Sequence, residues 1–268
     1  MNHSILQGKR GIIFGALDEN SIAWEVALAA KKAGAIFTLS NAPVAIRMGS
    51  IKELAEICQC ELISADATNL EDIRNLINQS IQILGGSIDF VLHAVGMSPN
   101  VRKKRAYTNL DYSYFEKTLD ISALSFHKFL QIAWQMDALA PNASVIALSY
   151  IAAQKVFPGY GDMADAKATL ESIARNFGYY YGKKNGTRIN TISQSPTFTT
   201  AGKGIDGFQK FYEYAENLSP LGNASASSCA DFCVMMFSDY TKMITMQNLY
   251  HDGGFSQTGM NLDMLANE

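Results

Sequence analysis

Seven short, apolar-rich runs separated by longer stretches of different periodicity constrain this chain more than any other feature. The runs are Gly11–Phe14, Ala35–Leu39, Glu61–Ser64, Ile88–His93, Ser144–Leu148, Arg188–Ile192 and Gln247–Tyr250. Between them, Ser21–Ala33, Ile51–Ile57, Glu71–Leu84, Tyr114–Leu139 and Ala164–Gly182 carry helical spacing. In the first of these, Ile22, Val26, Ala29 and Ala30 share one face and Gly34 can end the helix. Near-continuous apolar strands predict burial on both faces. Strands alternating with helices predict a parallel sheet covered on both sides.

The expectation is therefore an α/β fold: a single doubly wound, Rossmann-type domain over residues 1–268 with a mainly parallel seven-stranded sheet. A chain of 268 residues, 48% hydrophobic and 18% charged, has the length and composition for such a core. Thr197–Pro220 is the one long insertion, with Gly202, Gly204, Gly207 and several aromatics. It reads as a helical lid over a substrate site, or as a surface helical excursion. There is no internal repeat, low-complexity segment or linker.

A net charge of −3 gives no reason to expect a nucleic-acid or membrane-surface partner. The basic run Arg102–Arg105 reads as a solvated loop, with a docking patch for an acidic carrier as the sharper alternative. Cys58, Cys60, Cys229 and Cys233 lack zinc spacing and a histidine cluster, so no metal site is expected and the thiols are read as reduced and partly buried. Met1–Gly8 lacks the apolar run of a signal peptide, and no stretch approaches ~18 consecutive apolar residues. The expected location is cytoplasmic.

In such a fold ligands bind outside the C-terminal ends of the strands. Gly15 follows the first strand, and a polar loop leads to a helix start at Ser21 and Ile22. Gly15 allows close backbone approach to a pyrophosphate, and amides at a helix N-terminus favour an anion. This is not a complete Gly-x-Gly-x-x-Gly fingerprint, and a tight strand–helix turn also accounts for it. Ser40-Asn41-Ala42-Pro43 ends the second strand without a charge, which favours NADH; nearby Arg47 keeps NADPH possible. Asp66, beside Ala67, follows the third strand and can bond an adenine amino group. Ala94-Val95-Gly96 follows the fourth, where small residues let a nucleotide pass close. Each has an ordinary loop reading; their joint occurrence after successive strands argues for a dinucleotide.

Tyr150 lies just past the fifth strand. Tyr160 and Lys167 are seven apart, nearly two helical turns, so both side chains can share one helix face. An ammonium beside a phenol favours the phenolate and supplies a donor. A tyrosine so placed can stabilise charge on a reacting oxygen or deliver a proton. A Tyr/Lys pair alone is ordinary surface decoration; its position after the fifth strand is what gives it weight.

The arrangement Tyr150-(nine residues)-Tyr160-(six residues)-Lys167 resembles the signature of the bacterial enoyl-acyl-carrier-protein reductases, a divergent branch of the short-chain dehydrogenase/reductase superfamily. Most of that superfamily has a serine on the fifth strand and Tyr-x-x-x-Lys. The likeness extends through Leu148-Ser149-Tyr150, Pro158-Gly159-Tyr160-Gly161-Asp162-Met163, Ala166-Lys167-Ala168, Gly8-Lys9-Arg10, Gly15-x5-Ser21-Ile22-Ala23, Arg188–Ser193 and His251–Phe255. It thus spans essentially the whole chain.

The resemblance implies reduction of a trans-2-enoyl thioester on acyl carrier protein, with NADH preferred and a homotetrameric assembly. It implies that Tyr160 bonds the thioester carbonyl, Lys167 the nicotinamide ribose, and that Tyr150, Met97, Met163 and Phe198 line the substrate. Ile192, Pro196, Thr197 and Thr199 would lie against the cofactor. Departures are Ser195 where glycine is usual, Phe198 for a basic or polar residue, and Asn41-Ala42-Pro43 where glutamine is common. His93 reads as structural. Two alternatives stay open: a carbonyl or alcohol dehydrogenase of the same fold, opposed by the Tyr/Lys spacing, and a non-catalytic nucleotide-binding relative, opposed by the retained Tyr150, Tyr160 and Lys167.

Overall fold

The computed structural model describes residues 4–262 apart from 201, 203, 204 and 206. Its strands are β1 (Arg10–Phe14), β2 (Ile36–Asn41), β3 (Leu62–Ser64), β4 (Ile88–His93), β5 (Leu139–Ser149), β6 (Arg188–Gln194) and β7 (Asn248–His251). They form one sheet in the order β3-β2-β1-β4-β5-β6-β7, and every pairing is parallel. The helices are α1 (Ile22–Lys32), α2 (Pro43–Met48), α3 (Ile51–Cys58), α4 (Leu70–Leu84), α5 (Pro99–Arg102), α6 (Tyr112–Leu119), α7 (Ser125–Gln135), α8 (Met163–Asn185), α9 (Phe208–Leu218) and α10 (Ala226–Phe237). The order of strands reverses between β1 and β4, which places a ligand crevice at their C-terminal ends.

Alternation along each strand divides the apolar residues between two cores. Ile12 and Phe14 of β1 and Val91 of β4 pack with Leu76 of α4, Phe126 and Phe129 of α7 and Leu170 of α8. Ile13, Phe90 and Leu92 face the other way, onto Val26 of α1, Leu54 of α3 and Cys233 and Phe237 of α10. The four cysteines are free; Cys58, Cys229 and Cys233 are buried and Cys60 is partly so.

Four elements differ from the sequence reading. The stretch read as one helix over Tyr114–Leu139 is α6, a π-helical turn over Asp120–Leu124, and α7; Leu139 already belongs to β5. Asp137 in the left-handed region (φ 51°) ends the helical course, and Pro141 could not continue it. For the same reason β5 starts five residues before the expected Ser144, with a register irregularity against β4. Tyr160 is not on a helix with Lys167: it sits in a turn before α8, between Gly159 and Gly161, both at positive φ. Helix α10 was not anticipated, although Cys229, Ala230, Cys233, Val234 and Phe237 form its buried face and Ser225 caps it by accepting from the Ser228 amide. Gly204 of the expected lid lies outside the described residues; the described part includes α9.

Gly11 shows how tightly β1 and β4 are matched. A Cβ built there would lie 2.1 Å from Phe90 Cζ, and the Phe90 ring is itself stacked on Phe237 at 4.6 Å. Gly11→Ala is expected to destabilise the protein by about 1–3 kcal/mol through overpacking, measured as a lowered urea midpoint at unchanged m-value.

Candidate active site

The C-terminal ends of the strands converge on one edge, and their loops are held together by backbone contacts. Gly15 N donates to Ser40 O (2.9 Å), Ala94 N to Phe14 O (2.8 Å) and Ala65 N to Asn41 O (3.0 Å). Gly15 has φ 112°, and a Cβ there would lie 2.3 Å from Ala94 O. Glycine is therefore demanded both by the backbone conformation and by the approach of the 94–96 loop. Ser21 Oγ donates to Asp18 O (2.7 Å) and accepts from Leu17 N (3.3 Å). It makes no side-chain bond to the first turn of α1. The amides of that turn, Ile22 included, therefore remain suited to a phosphate.

Asn41 serves the same loop: its Nδ2 donates to Ala16 O (2.8 Å) and its Oδ1 accepts from Ala42 N (2.8 Å). Arg47 is exposed on α2. Asp66 is exposed beyond β3, over buried Ala67, and its Oδ1 accepts from Thr68 N and Oγ1. Past β6, buried Pro196 is followed by Thr197, whose Oγ1 donates to Ser195 O (3.0 Å). Thr199 Oγ1 accepts from Gly202 N (2.9 Å), and Thr200 Oγ1 donates to Asp18 Oδ2 (2.6 Å), linking this segment to the loop after β1. Ile192 is fully buried inside the sheet, so in this conformation it backs the site rather than facing it.

The chemical groups gather beside Gly96. A Cβ built on this exposed glycine would find Lys167 Nζ and Ser122 Oγ at 3.8 Å and Met163 Cε at 3.9 Å. Ser122, unmarked in the sequence reading, belongs to the π-helical turn and holds the loop after β4, accepting from Met97 N (2.9 Å) and donating to Met97 O (3.2 Å). Local π-turns of this kind are frequent at functional sites. Lys167 is buried on the first turns of α8 and donates from Nζ to Leu148 O at 2.7 Å. Burial pulls its ammonium down to about 8, and the charge of Glu171 acts in the opposite direction.

Tyr150 and Tyr160 face each other with ring centroids 4.9 Å apart. Tyr150 continues into an aromatic wall of Phe157 (5.7 Å) and Phe211 (6.2 Å), closed by Phe255. Phe157, Phe211 and Phe255 were missed by the sequence reading; the density of aromatics around Tyr150 and in the insertion was the available signal. Phe198 belongs to a different cluster, on Phe208 (5.3 Å) and Tyr212 (4.3 Å). Desolvation pushes the Tyr160 phenol above its ordinary value, and Tyr150 is raised by burial and then by Tyr160. Desolvation thus outweighs the pull that a neighbouring ammonium exerts toward a phenolate, and Tyr160 is a neutral phenol, a hydrogen-bond donor. His93 is buried, with Nε2 3.0 Å from Ser125 Oγ, and burial pulls it down to about 3, so it stays neutral and structural.

Uncapped amides at the start of α1, an uncharged end to β2 and an open glycine floor beside a lysine fit a nicotinamide dinucleotide. An apolar aromatic wall and a phenolic donor fit a carbonyl-bearing acyl group. This is the site of a nicotinamide-dependent reductase on a doubly wound fold.

The comparisons narrow the class. Residues 15–256 match the family described as Enoyl-(Acyl carrier protein) reductase. The chain is similar to the Rickettsia bellii protein named enoyl-[acyl-carrier-protein] reductase [NADH] FabI, with 34% identity over 97% of this chain and 98% of that one. It superposes on the FabI–NADH complex from Alistipes finegoldii with a TM-score of 0.97 and 57% identity, covering 99% of this chain and 94% of that one. For the Aquifex aeolicus enoyl-[acyl-carrier-protein] reductase (NADH) structure the TM-score is 0.87 at 30% identity, covering 96% and 99%. The chain belongs to the enoyl-acyl-carrier-protein reductase family.

Lys167 links the site to stability. Its folded pKa, about 8, lies below the 10.5 of an exposed lysine, so between these values the unfolded chain binds more protons. Stability therefore rises with pH through that window, and the penalty for the buried cation is complete below pH 8. Lys167→Met is expected to be more stable than the parent at pH 7 by about 1–3 kcal/mol, the lower end reflecting the lost bond to Leu148 O. The gap should close as pH rises from 8 towards 10.5, measured by urea unfolding of both proteins.

Proposed function

We propose that this chain reduces trans-2-enoyl thioesters carried by acyl carrier protein to acyl thioesters, using NADH, in the last reductive step of fatty acid elongation. The observation that carries this reading is the open floor at Gly96, edged by the Lys167 ammonium, with the Tyr150 and Tyr160 rings in contact on the same α8-proximal side of the site. NADH, when bound, would supply the hydride to the β-carbon of the enoyl group, and protonation at the α-carbon then gives the saturated thioester. Gly15, Ser21, Ile22, Ala42, Asp66, Ala67, Ala94, Val95, Gly96, Pro196, Thr197 and Thr199 form its cradle, backed by Ile192. Lys167 holds the nicotinamide ribose hydroxyls, its amine oriented by the Leu148 carbonyl.

Tyr160 donates its phenolic hydrogen to the thioester carbonyl. That bond strengthens as negative charge develops on the oxygen, which favours the transition state over the bound substrate. Because desolvation keeps the phenol protonated, the donor is present throughout the working pH range. Tyr150, Met97 and Met163 line the acyl group, and the wall of Phe157, Phe211 and Phe255 excludes water around the developing charge. The segment around 197–220 serves as the lid of a single domain, supported by the Thr200–Asp18 bond to the loop after β1.

The resemblance also implies a homotetramer. Exposed Tyr179 and Tyr180 on α8, beside a groove formed with α7 by His127, Ile173 and Phe177, offer a surface for a second copy. Light scattering should give a mass of about four times the 29.3 kDa chain. A cytoplasmic location suits such a substrate, and among the described residues no helix is long and apolar enough to cross a membrane.

Loss of NADH absorbance with crotonyl and longer enoyl thioesters, with NADPH in parallel, tests the reaction. Turnover is expected with NADH preferred. Tyr160→Phe should lower kcat by about 10²–10³-fold with NADH affinity little changed. NADH binding without turnover of any enoyl thioester would overturn the reading.

A further inference from the structure

Glu171 lies four residues beyond Lys167 on α8, one helical turn further into the protein, and is 4% exposed. Both its oxygens are engaged: Oε1 accepts from Ser149 Oγ at 2.7 Å and Oε2 from Gln154 Nε2 at 3.1 Å. Gln154 in turn accepts through Oε1 from Tyr250 OH of β7 at 2.6 Å. Thus α8 grips the end of β5 at two consecutive residues, Lys167 on the Leu148 carbonyl and Glu171 on the Ser149 hydroxyl. Tyr150 follows immediately.

Both donors to Glu171 are neutral, a hydroxyl and a primary amide. A glutamine could engage such partners without the desolvation penalty of a buried carboxylate. What only the glutamate supplies is negative charge. Of the other titratable groups near the pair, His93 of β4 is held down to about 3, and Tyr150, Tyr160 and Tyr250 are phenols raised above their ordinary values, while the Asp162 carboxylate at the start of α8 is engaged by Ser98, Asn100 and Thr118. Glu171 carries the charge that acts on Lys167, favouring its ammonium.

We propose that Glu171 is a positioning residue of this reductase: its buried carboxylate supplies the counter-charge for the Lys167 ammonium and ties the Tyr150 turn to α8. The proposal rests on the function inferred above, so turnover by the parent protein is measured first; its absence sinks that reading while the binding arm below still tests Glu171. NADH affinity is followed by fluorescence titration without thioester from about pH 6 to 9.5. In the parent it should weaken above about pH 8. In Glu171→Gln the weakening should begin about one pH unit lower, as expected when a neighbouring opposite charge is removed. kcat/KM should fall about fivefold at pH 8, approaching tenfold by about pH 9, and stay within about threefold at pH 6. Glu171→Asp, which keeps the charge, should restore the midpoint.

An unmoved midpoint with a uniform loss at every pH would overturn the proposal in favour of plain structural support. Should Glu171→Gln not fold, Glu171→Asp and Gln154→Leu decide: both keep the carboxylate, and both should hold the midpoint within about 0.3 pH unit while raising KM for the thioester. A midpoint that drops by a unit in either variant would overturn it.

Discussion

An ammonium that water scarcely reaches, at Lys167, sets the terms for the rest of the site. Burying it is unfavourable, and the fold answers with a carbonyl 2.7 Å from Nζ and a carboxylate one turn along the same helix. The carbonyl belongs to Leu148, so the helix that bears the lysine must lie against the last residues of β5. That contact fixes where Tyr150 emerges. It also explains the small residue opposite: Gly96 leaves open the space beside Nζ that a larger side chain would begin to occupy.

The neighbouring strands meet this demand with equally local devices. The loop after β4 comes close enough to β1 to require glycine at position 15, and it is held from the other side by Ser122. Ser122 reaches Met97 from a π-helical turn between α6 and α7. The same turn region places Ser125 against His93, so the histidine beneath the site is hydrogen-bonded and uncharged. Cofactor loop and chemical groups are thus supported by one continuous set of contacts from β1 through β4 to α8. A rigid support of this kind lets a phenol and an ammonium hold their geometry without rearranging during reaction.

Much of this was legible in the residues. Buried parallel strands are nearly continuous in apolar character, so β1, β4 and the second half of β5 stand out, and the groups after them follow from the fold. Tyr150, Tyr160 and Lys167 were recognisable by spacing. What was not legible depended on three-dimensional approach. Spacing alone made Tyr160 helical, whereas two positive-φ glycines put it in a turn. The continuous apolar pattern through Leu139 hid the change from helix to strand, and a helix of Cys, Ser, Ala and Met residues at 226–237 carries weak periodicity. Ser122 and Glu171 look like ordinary helix residues until a backbone from elsewhere is seen to meet them. The neutral state of Tyr160 is likewise a property of its surroundings, which no spacing reports.

The turn that carries Tyr160 is held by a second buried carboxylate. Asp162 is 0% exposed at the N-terminal boundary of α8, and three side chains donate to it: Ser98 (2.6 Å), Asn100 (2.7 Å) and Thr118 (2.9 Å). An anion is favoured electrostatically at a helix N-terminus, which eases the burial of this carboxylate. Its donors come from Ser98, which caps α5, and from α5 and α6, the segment that follows Met97. The loop after β4 is thereby fastened to the turn carrying Tyr160, just as Glu171 fastens the end of β5, with the Tyr150 turn that follows it, to α8. Eight residues separate the two carboxylates, and the stretch they bracket contains Met163 and Lys167. The geometry of the site therefore depends on a single helix whose two buried anions bind it to different strand ends, so that a small displacement of α8 would move Lys167 and both tyrosines together.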